Sequence, residues 1–556
     1  MSKKSVTELL GRWAMLKTTR AMHENTWDEI VHLMQPFRGD IRTKHSEGTK
    51  RVSAVFDSTA MQQADAFVNF LKGSLIPAGS DWIRLRPARR YTDRDDMYED
   101  QEYMNIKRAL DATSDRVMTA LSNSNFYIES AAFLKDFSVL GNGTMHVRWD
   151  DDYHGQGYGG LCFEAVPIMR AWWQNGRKNR PFFIVREFEM AAIDADKFFE
   201  GNSPTAAECL RRNRAFEKVE FAHFVFENEH GKVGSLVSAE NKPWTSVYVD
   251  CTAHKDIQFG GFNFCPYIVS RWMVVDGEEY GRGRGHLARP DAKGANEIRA
   301  QMLLAAGRAL DPPLVMEEDS LIEGDVAPGG TLYVRPWQKQ APDYLRAGTD
   351  LSVAQEMLLQ DRAMIQKAFL GDLFEDPETQ PRSAEESRQR LERARQRLAA
   401  PAEAIDYDFA TPLMETVIGL LRMEKQLPEL DELFEEYQEG EFEIVFQSPF
   451  FTAQKNSQVQ RVYSFVTRRV GLFQALQDPS WIDDLDPDKI RKLDAELSDV
   501  SADIFRAEED IELRRQSRAA KEAEQRMQSL AGQGPGPGRP PAGRNPIPAQ
   551  QIEETY

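Results

Sequence analysis

Two helical stretches of similar length, separated by an acidic excursion broken by Pro and Gly, occupy residues 291–371 and narrow the possible folds more than any other feature. Ala295, Ile298, Met302, Ala305 and Ala309 recur at three- and four-residue spacing, on one narrow stripe of a helix that Pro290-Asp291 is predicted to start and Asp311-Pro312-Pro313 to stop. About 20 residues at 1.5 Å each make a rod of about 30 Å, and its small stripe residues allow a neighbour to approach closely. A second rod follows Gly348-Thr349-Asp350 and carries Ala354, Met357, Leu358, Met364, Ile365 and Ala368 on one face. It is predicted to end at Gly371, a residue that tolerates positive φ.

Between the rods, Leu314-Val315-Met316 and Thr331-Leu332-Tyr333-Val334 read as short strands around Pro328-Gly329-Gly330. Residues 311–350 hold eight acids against three bases. A two-rod hairpin tipped by a small acidic module suits a lid, a dimerisation arm or one stave of a ring.

The 556 residues suffice for two to four domains, and 41% hydrophobic content fits globular cores. A net charge of −19 argues against tight nonspecific binding of nucleic acid, which needs clustered Lys and Arg. The four cysteines, Cys162, Cys209, Cys251 and Cys265, lie far apart and read as ordinary thiols of a reducing compartment. Without a long apolar run or a secretory h-region, the chain reads as cytosolic, with no membrane partner.

Along the chain, residues 5–35 are patterned as a helix, and Phe56-Asp57-Ser58-Thr59-Ala60 opens another that runs to Leu75, with Asp57 or Ser58 as its cap. Trp82-Ile83-Arg84-Leu85 reads as a strand, and helices fit 97–122 and 128–139. From Thr144 to Asp276 the pattern changes to strands: 144–149, 161–166, 182–188, 219–226, 244–249 and 267–272, a mostly antiparallel region. Alternation in Phe221, His223 and Val225 and in Met145, Val147 and Trp149 predicts one buried face. Ser383-Ala384-Glu385-Glu386 is a capping box opening a long helix, whose arginines are matched by Glu386 and Glu392 at ion-pair spacing. Helical character returns over 401–423, Phe442–Phe446 reads as a strand, and 455–527 is helical with mixed charge. Gly532–Pro548 is Gly/Pro-rich and expected to be disordered.

Signatures of chemistry are missing: there is no Walker loop, HExxH, GxSxG or metal-spaced His/Cys cluster. His146, His154, His223, His230, His254 and His286 are scattered and read as surface or packed imidazoles. Tyr280-Gly281-Arg282-Gly283-Arg284-Gly285 lacks the lysine and the spacing of a phosphate cradle, and reads as a tight connection into the first rod. No catalytic residue, metal or cofactor is expected.

Several short motifs in order resemble the head-to-tail connecting, or portal, proteins of short-tailed bacteriophages. They are Trp27-Asp28-Glu29-Ile30, Phe56-Asp57-Ser58-Thr59-Ala60, Ser124-Asn125-Phe126-Tyr127, Asp136-Phe137 with Gly141 and Gly143, and Pro266-Tyr267 with Arg271-Trp272. More specific are Gly277-Glu278-Glu279-Tyr280-Gly281-Arg282-Gly283, Pro290-Asp291-Ala292-Lys293 with Asn296, Asp311-Pro312-Pro313, Ser383-Ala384-Glu385-Glu386, and Ser448-Pro449 with Ala453-Gln454. Where the family favours Leu-Pro-Asp at the entry to the rod, this chain has Ala288-Arg289-Pro290-Asp291, which leaves the rod's start open by a residue or two.

The resemblance implies an α+β, helix-rich portal fold: a mixed wing (1–290 and 383–454), a stem (291–310 and 351–370), a clip (311–350), a tunnel loop (371–382), a helical crown (455–527) and a disordered tail (528–556). It implies a ring, typically of twelve copies, at one capsid vertex. Double-stranded DNA would pass through it without sequence-specific binding during packaging and ejection. The implied partners are the terminase large subunit, tail adaptor and tube proteins, and the major capsid and scaffolding proteins. The implied location is the virion, with assembly in the host cytoplasm. By position, Asn296, Arg299, Met302, Met357, Asp361 and Met364 would belong to the stem, and Glu317, Glu318, Asp319, Arg335 and Trp337 to the docking face of the clip. Gly371, Asp372, Leu373, Phe374, Glu375, Asp376 and Glu378 would face the channel, where a loop of acids without a base repels the duplex and keeps it centred. The rival readings are a monomeric helical adaptor of a virion and a carboxylate-based hydrolase.

Overall fold

The computed structural model describes residues 5–38, 54–87, 100–151, 159–176, 180–228, 237–310, 351–371, 403–427 and 442–447. It adds short pieces at 41–42, 48–49, 51–52, 153, 155 and 230–233, four two-residue strands within 314–344, 397, 462–472 and 474–475, and isolated positions from 490 to 523.

Helix α1 (Val6–Met34) is opened by Ser5, whose hydroxyl accepts the N–H of Glu8 at 3.3 Å. Its inner residues Leu9, Trp13 and Leu16 meet one core, and Trp27, Ile30 and Met34 meet another. Helix α2 (Thr59–Leu75) is capped by Asp57, whose Oδ1 accepts the Thr59 N–H at 2.9 Å, while Ser58 makes no side-chain cap. Helix α3 (Asp100–Ser122) is followed by α4 (Phe126–Lys135), which starts two residues earlier than the sequence pattern suggests and runs into a π-turn at Asp136–Leu140. That turn is pinned by buried Asp136, which pairs with Arg38 at 2.8 Å.

Three sheets follow. Strands β2 (Asn142–Asp150), β3 (Gly160–Ala165) and β9 (Tyr267–Arg271) form an antiparallel sheet in the order β3-β2-β9. Inserted between β3 and β9 is a five-stranded antiparallel meander, β4 (Ala171–Asn175), β5 (Pro181–Ala191), β6 (Lys218–Glu227), β7 (Trp244–Asp250) and β8 (Lys255–Phe262). Helices α5 (Ala192–Phe198) and α6 (Pro204–Arg211) lie in the β5–β6 connection. Strand β1 (Ile83–Pro87) pairs antiparallel with β14 (Phe442–Phe446), joining residues more than 350 apart in sequence. The expected strands all occur, but β4, β8, α5 and α6 were not anticipated: patterns of five to eight residues are too short to separate from loops.

The expectation of one buried face on β6 is corrected, because residues 221–226 are all buried. Ala222, Phe224 and Phe226 join α1 in one cluster, whereas Phe221 packs under α5 and α6 and Val225 joins the main core. Both faces of this strand are covered, so its apolar pattern is continuous.

The two rods are α7 (Arg284–Leu310) and α8 (Leu351–Ala368), and they pack antiparallel, Arg284 beside Ala368 and Gly294 beside Asp361. Two expectations about them are corrected. The first rod begins at Arg284, with Pro290 inside the helix. Pro290 offers no N–H to the carbonyl of His286, a loss offset by burial of Ala288, Ala292 and Ala295 against the main core. The second rod leaves its helix through Leu370, at φ 58°, and not through Gly371. Leu370 is 5% exposed, so apolar burial holds a backbone conformation that glycine would adopt more readily. Between the rods, β10 (Leu314–Val315) pairs with β13 (Asp343–Tyr344) and β11 (Glu323–Gly324) with β12 (Leu332–Tyr333), two nested ladders where the sequence showed two strands. Finally, a π-turn at Asp406–Ala410 leads into α9 (Thr411–Met423), which lies on the main core through Leu413, Met414 and Val417.

Candidate functional site

The root of the rod pair is where the elements converge. The chain enters α7 through Gly281, Gly283 and Gly285, and crosses the π-turn at van der Waals distance. A Cβ on Gly283 would lie 2.5 Å from the backbone N of Gly141 and 2.5 Å from the carbonyl oxygen of Val139, and one on Gly141 would lie 2.3 Å from Gly283 N. Gly141 also has φ +87°, so both sides of the crossing require glycine. Asn142 locks it: its side chain donates to Gly281 O at 2.9 Å and accepts the Gly281 N–H at 2.7 Å. The reading of this glycine run as a tight connection agrees with this geometry.

Both rods reach across to the segment that precedes α2. From α7, Asn296 Oδ1 accepts the N–H groups of Phe56 (2.6 Å) and Asp57 (3.2 Å), and its Nδ2 donates to Ala54 O at 3.2 Å. From α8, Arg362 donates through Nε (2.9 Å) and Nη2 (2.7 Å) to Oδ2 of Asp57, whose side chain is only 2% exposed. Burial pushes the Asp57 carboxyl up, but hydrogen bonds from Thr59 and Arg362 outweigh it and hold the group below its usual pKa. Next to Arg362 in the chain, Asp361 is raised by burial and by the negative charge of Asp291 on the facing rod. Under the clamp, Phe67 of α2 meets Phe369 and Trp272 at ring-centroid distances of 6.2 and 5.8 Å.

The stem residues singled out in the sequence therefore divide. Asn296 and Asp361 lie in the root, Arg299 is half-buried, and Met302 packs partly against the main core. Met357 and Met364, expected on the same face as Leu358 and Ile365, are 51% and 49% exposed, whereas Leu358 and Ile365 are buried. A helix stripe includes flanking positions that only the partner helix can sort, and here α7 covers the narrower set. Gly371 is buried, close to Gln366 and Gln63. Asp372, Leu373, Phe374, Glu375, Asp376 and Glu378 of the loop, and Glu317, Glu318, Asp319, Arg335 and Trp337 of the clip, lie outside the described residues, as do the helix at Ser383, most of 455–527 and the tail. Asp57 and Arg362 were missed as a pair. Asp57 was readable as a cap, but a contact across 305 residues has no local signature.

On their outer faces the rods leave apolar side chains in solvent: Leu303 (47%), Leu304 (57%), Val353 (58%), Met357 (51%), Leu359 (58%) and Met364 (49%). So many on two neighbouring helices form a surface that calls for a partner.

A second polar cluster joins the two larger sheets. His223 lies between the hydroxyls of Tyr267 (2.6 Å) and Ser246 (2.8 Å), stacked on Tyr248 at 4.0 Å, and Arg186 donates to Nδ1 of His146 at 3.1 Å. Burial pushes His223 down to about 3, aided by the charge of Arg186, and holds His146 well below its usual value. Both rings stay neutral and serve as packed hydrogen-bonding wedges.

Among the described residues no group of three or more His, Cys, Asp or Glu could hold a metal ion, and no helix is long and apolar enough to cross a membrane. The four cysteines are free thiols; burial pushes Cys251 and Cys265 up to about 12.

Comparison with known proteins bears on this arrangement. A family described as bacteriophage head to tail connecting protein matches residues 6–505. A portal protein of Salmonella phage epsilon15 is 24% identical over 553 residues, 96% of this chain and 94% of that protein. A probable portal protein of Bordetella phage BPP-1 is 22% identical over 542 residues, 95% of this chain and 93% of that protein.

Proposed function

We propose, since this chain belongs to the family of bacteriophage head to tail connecting proteins, that copies of it close into a portal ring whose rods stand side by side around a channel for double-stranded DNA. A head-tail connector role and a place in the virion follow from the family. The finer reading is ours. The observation that carries it is the rod pair itself, fixed at its root by Asn296, Arg362 and the glycine crossing, yet exposing apolar side chains outward. A second copy covers such a surface, and a head-to-tail contact repeated with the right rotation closes a ring.

In this reading α7 and α8 are the stem, the nested ladders between them the clip, the helices and sheets before them together with 383–454 the wing, 371–382 the tunnel loop and 455–527 the crown. The clip would meet the terminase large subunit and the tail adaptor and tube proteins, and the wing the major capsid and scaffolding proteins. Asp372, Glu375, Asp376 and Glu378 would present acids to the passing duplex. Duplex DNA carries one negative charge per about 1.7 Å, so a basic bore would brake it.

Native mass measurement tests the ring: twelve copies of the 63.4 kDa chain give about 760 kDa. A single-copy mass, or a particle imaged without a central opening, would end this reading. For the loop, Asp372→Lys with Glu375→Lys is expected to slow packaging or retain DNA. Unchanged packaging would place the loop away from the channel.

A further inference from the structure

The far end of the five-stranded sheet carries a strongly basic turn. Residues 211–218 hold four bases (Arg211, Arg212, Arg214, Lys218) and one acid in a chain of net charge −19. Backbone bonds make the turn rigid. Asn213, at φ 58°, donates to Leu210 O at 3.0 Å, and Arg214 donates to Cys209 O at 2.9 Å. Ala192 and Ile193 of α5 donate to Glu217 O at 2.9 Å and Ala215 O at 3.0 Å. Beneath lies a satellite core of Phe199, Ala206 and Phe221. On this base Phe216 is 84% exposed, and the side chains of Arg212 and Arg214 are 63% and 61% exposed. Folding gains little from an aromatic left in water. An exposed aromatic among arginines, presented without an ordering cost, is the composition of an interface hot spot.

An occupant must bring acids together with apolar side chains. Residues 428–441 of this chain contain seven acids, no base, and Leu430, Leu433, Phe434 and Tyr437. Both ends of that segment are tied to the main core, Leu427 by full burial and Phe442 by pairing with Pro87, whereas the basic turn rests on its own cluster beyond the meander. We propose that the turn 211–218 of one copy receives the acidic segment 428–441 of a second copy, with Phe216 among its apolar residues and the arginines on its carboxylates. The contact rests on the ring reading and supplies one heterologous interface for it. Duplex DNA fits less well, because the basic surface is one short turn and Phe216 stands exposed in its middle, where a phosphate backbone offers no apolar partner.

The test is a charge exchange in the full chain, read as native mass at low and high salt, with thermal unfolding as the folding control. Arg211→Glu/Arg212→Glu/Arg214→Glu and Glu432→Lys/Glu435→Lys/Glu436→Lys are each expected to lower the assembled fraction at least tenfold, and the combined variant to restore it. Separately, Phe216→Cys with Phe434→Cys is expected to give a ladder of disulfide-linked oligomers on oxidation that neither single variant gives. Triple variants that assemble like wild type, or a combined variant that stays dissociated, overturn the contact while leaving the ring reading intact. A wild-type chain that never assembles overturns both. A labelled duplex bound by wild type and released by the arginine variant, with unchanged mass, would assign the turn to nucleic acid instead.

Discussion

Replacing Arg362 by Met should loosen the junction between the rods and α2 while leaving the rest of the wing in place. The guanidinium makes two contacts, 2.9 and 2.7 Å, with a single oxygen of Asp57. Without it, Oδ2 has no charged partner, and the carboxylate keeps its hydrogen bonds to the Thr59 N–H, on Oδ1, and to the Thr59 side chain. Removing one partner of a fully buried ion pair costs about 3–5 kcal/mol. The Arg362 side chain is 40% exposed, so water can reach the vacated position. The cost should therefore fall towards that of a hydrogen bond to a charged group, about 2 kcal/mol. At about 1.4 kcal/mol per tenfold change, this is about a thirtyfold increase in local opening. Hydrogen exchange at amides 59–63 reads that opening directly, because the junction can open without the rest of the chain unfolding. Asp57→Asn in the same background closes a double-mutant cycle, and a coupling of about 1–2 kcal/mol is expected. The pKa of Asp57 is depressed on folding, so its contribution is complete above the unfolded value of about 3.9 and lost as pH falls through the folded value. Exchange rates in Arg362→Met that match wild type within a factor of two, or a coupling near zero at neutral pH, would refute the clamp.

Three further outcomes follow from the same geometry. Gly283→Ala places a methyl 2.5 Å from backbone atoms that cannot rotate away, so the variant should lose at least 1–3 kcal/mol, about the cost of overpacking a core, with reduced folded yield and melting temperature as readouts. Because His223 stays neutral down to about 3 in the folded chain against about 6.5 unfolded, its contribution is complete above about pH 6.5. It should fall by about 1.4 kcal/mol per pH unit below that, and His223→Gln should flatten the slope by about one proton in acid-unfolding measurements. Met357→Glu with Leu359→Glu alters side chains already in solvent, so far-UV circular dichroism should not change, while the native mass should drop from the assembled particle towards 63.4 kDa.

Much of this protein is legible in its sequence. The rods follow from three-and-four spacing, strands β5, β6 and β7 of the meander from strand-like runs between turns, and the family from motifs of a few residues each that recur in order. These are local properties, set by backbone sterics and by the period of the apolar residues. What only the tertiary structure decided is which copy of a repeated pattern does what. Met357 and Leu358 are adjacent and both apolar, yet one faces solvent and the other the core, because the position of α7 settles it. Pro290 looked like the start of a helix and lies within one, since burial of Ala288, Ala292 and Ala295 outweighs the missing N–H. Asp57 meets Arg362, Asn296 meets Ala54, and Gly141 meets Gly283 across 142 to 305 residues of chain. Such contacts depend on how whole elements pack, and no window of neighbouring residues carries that information.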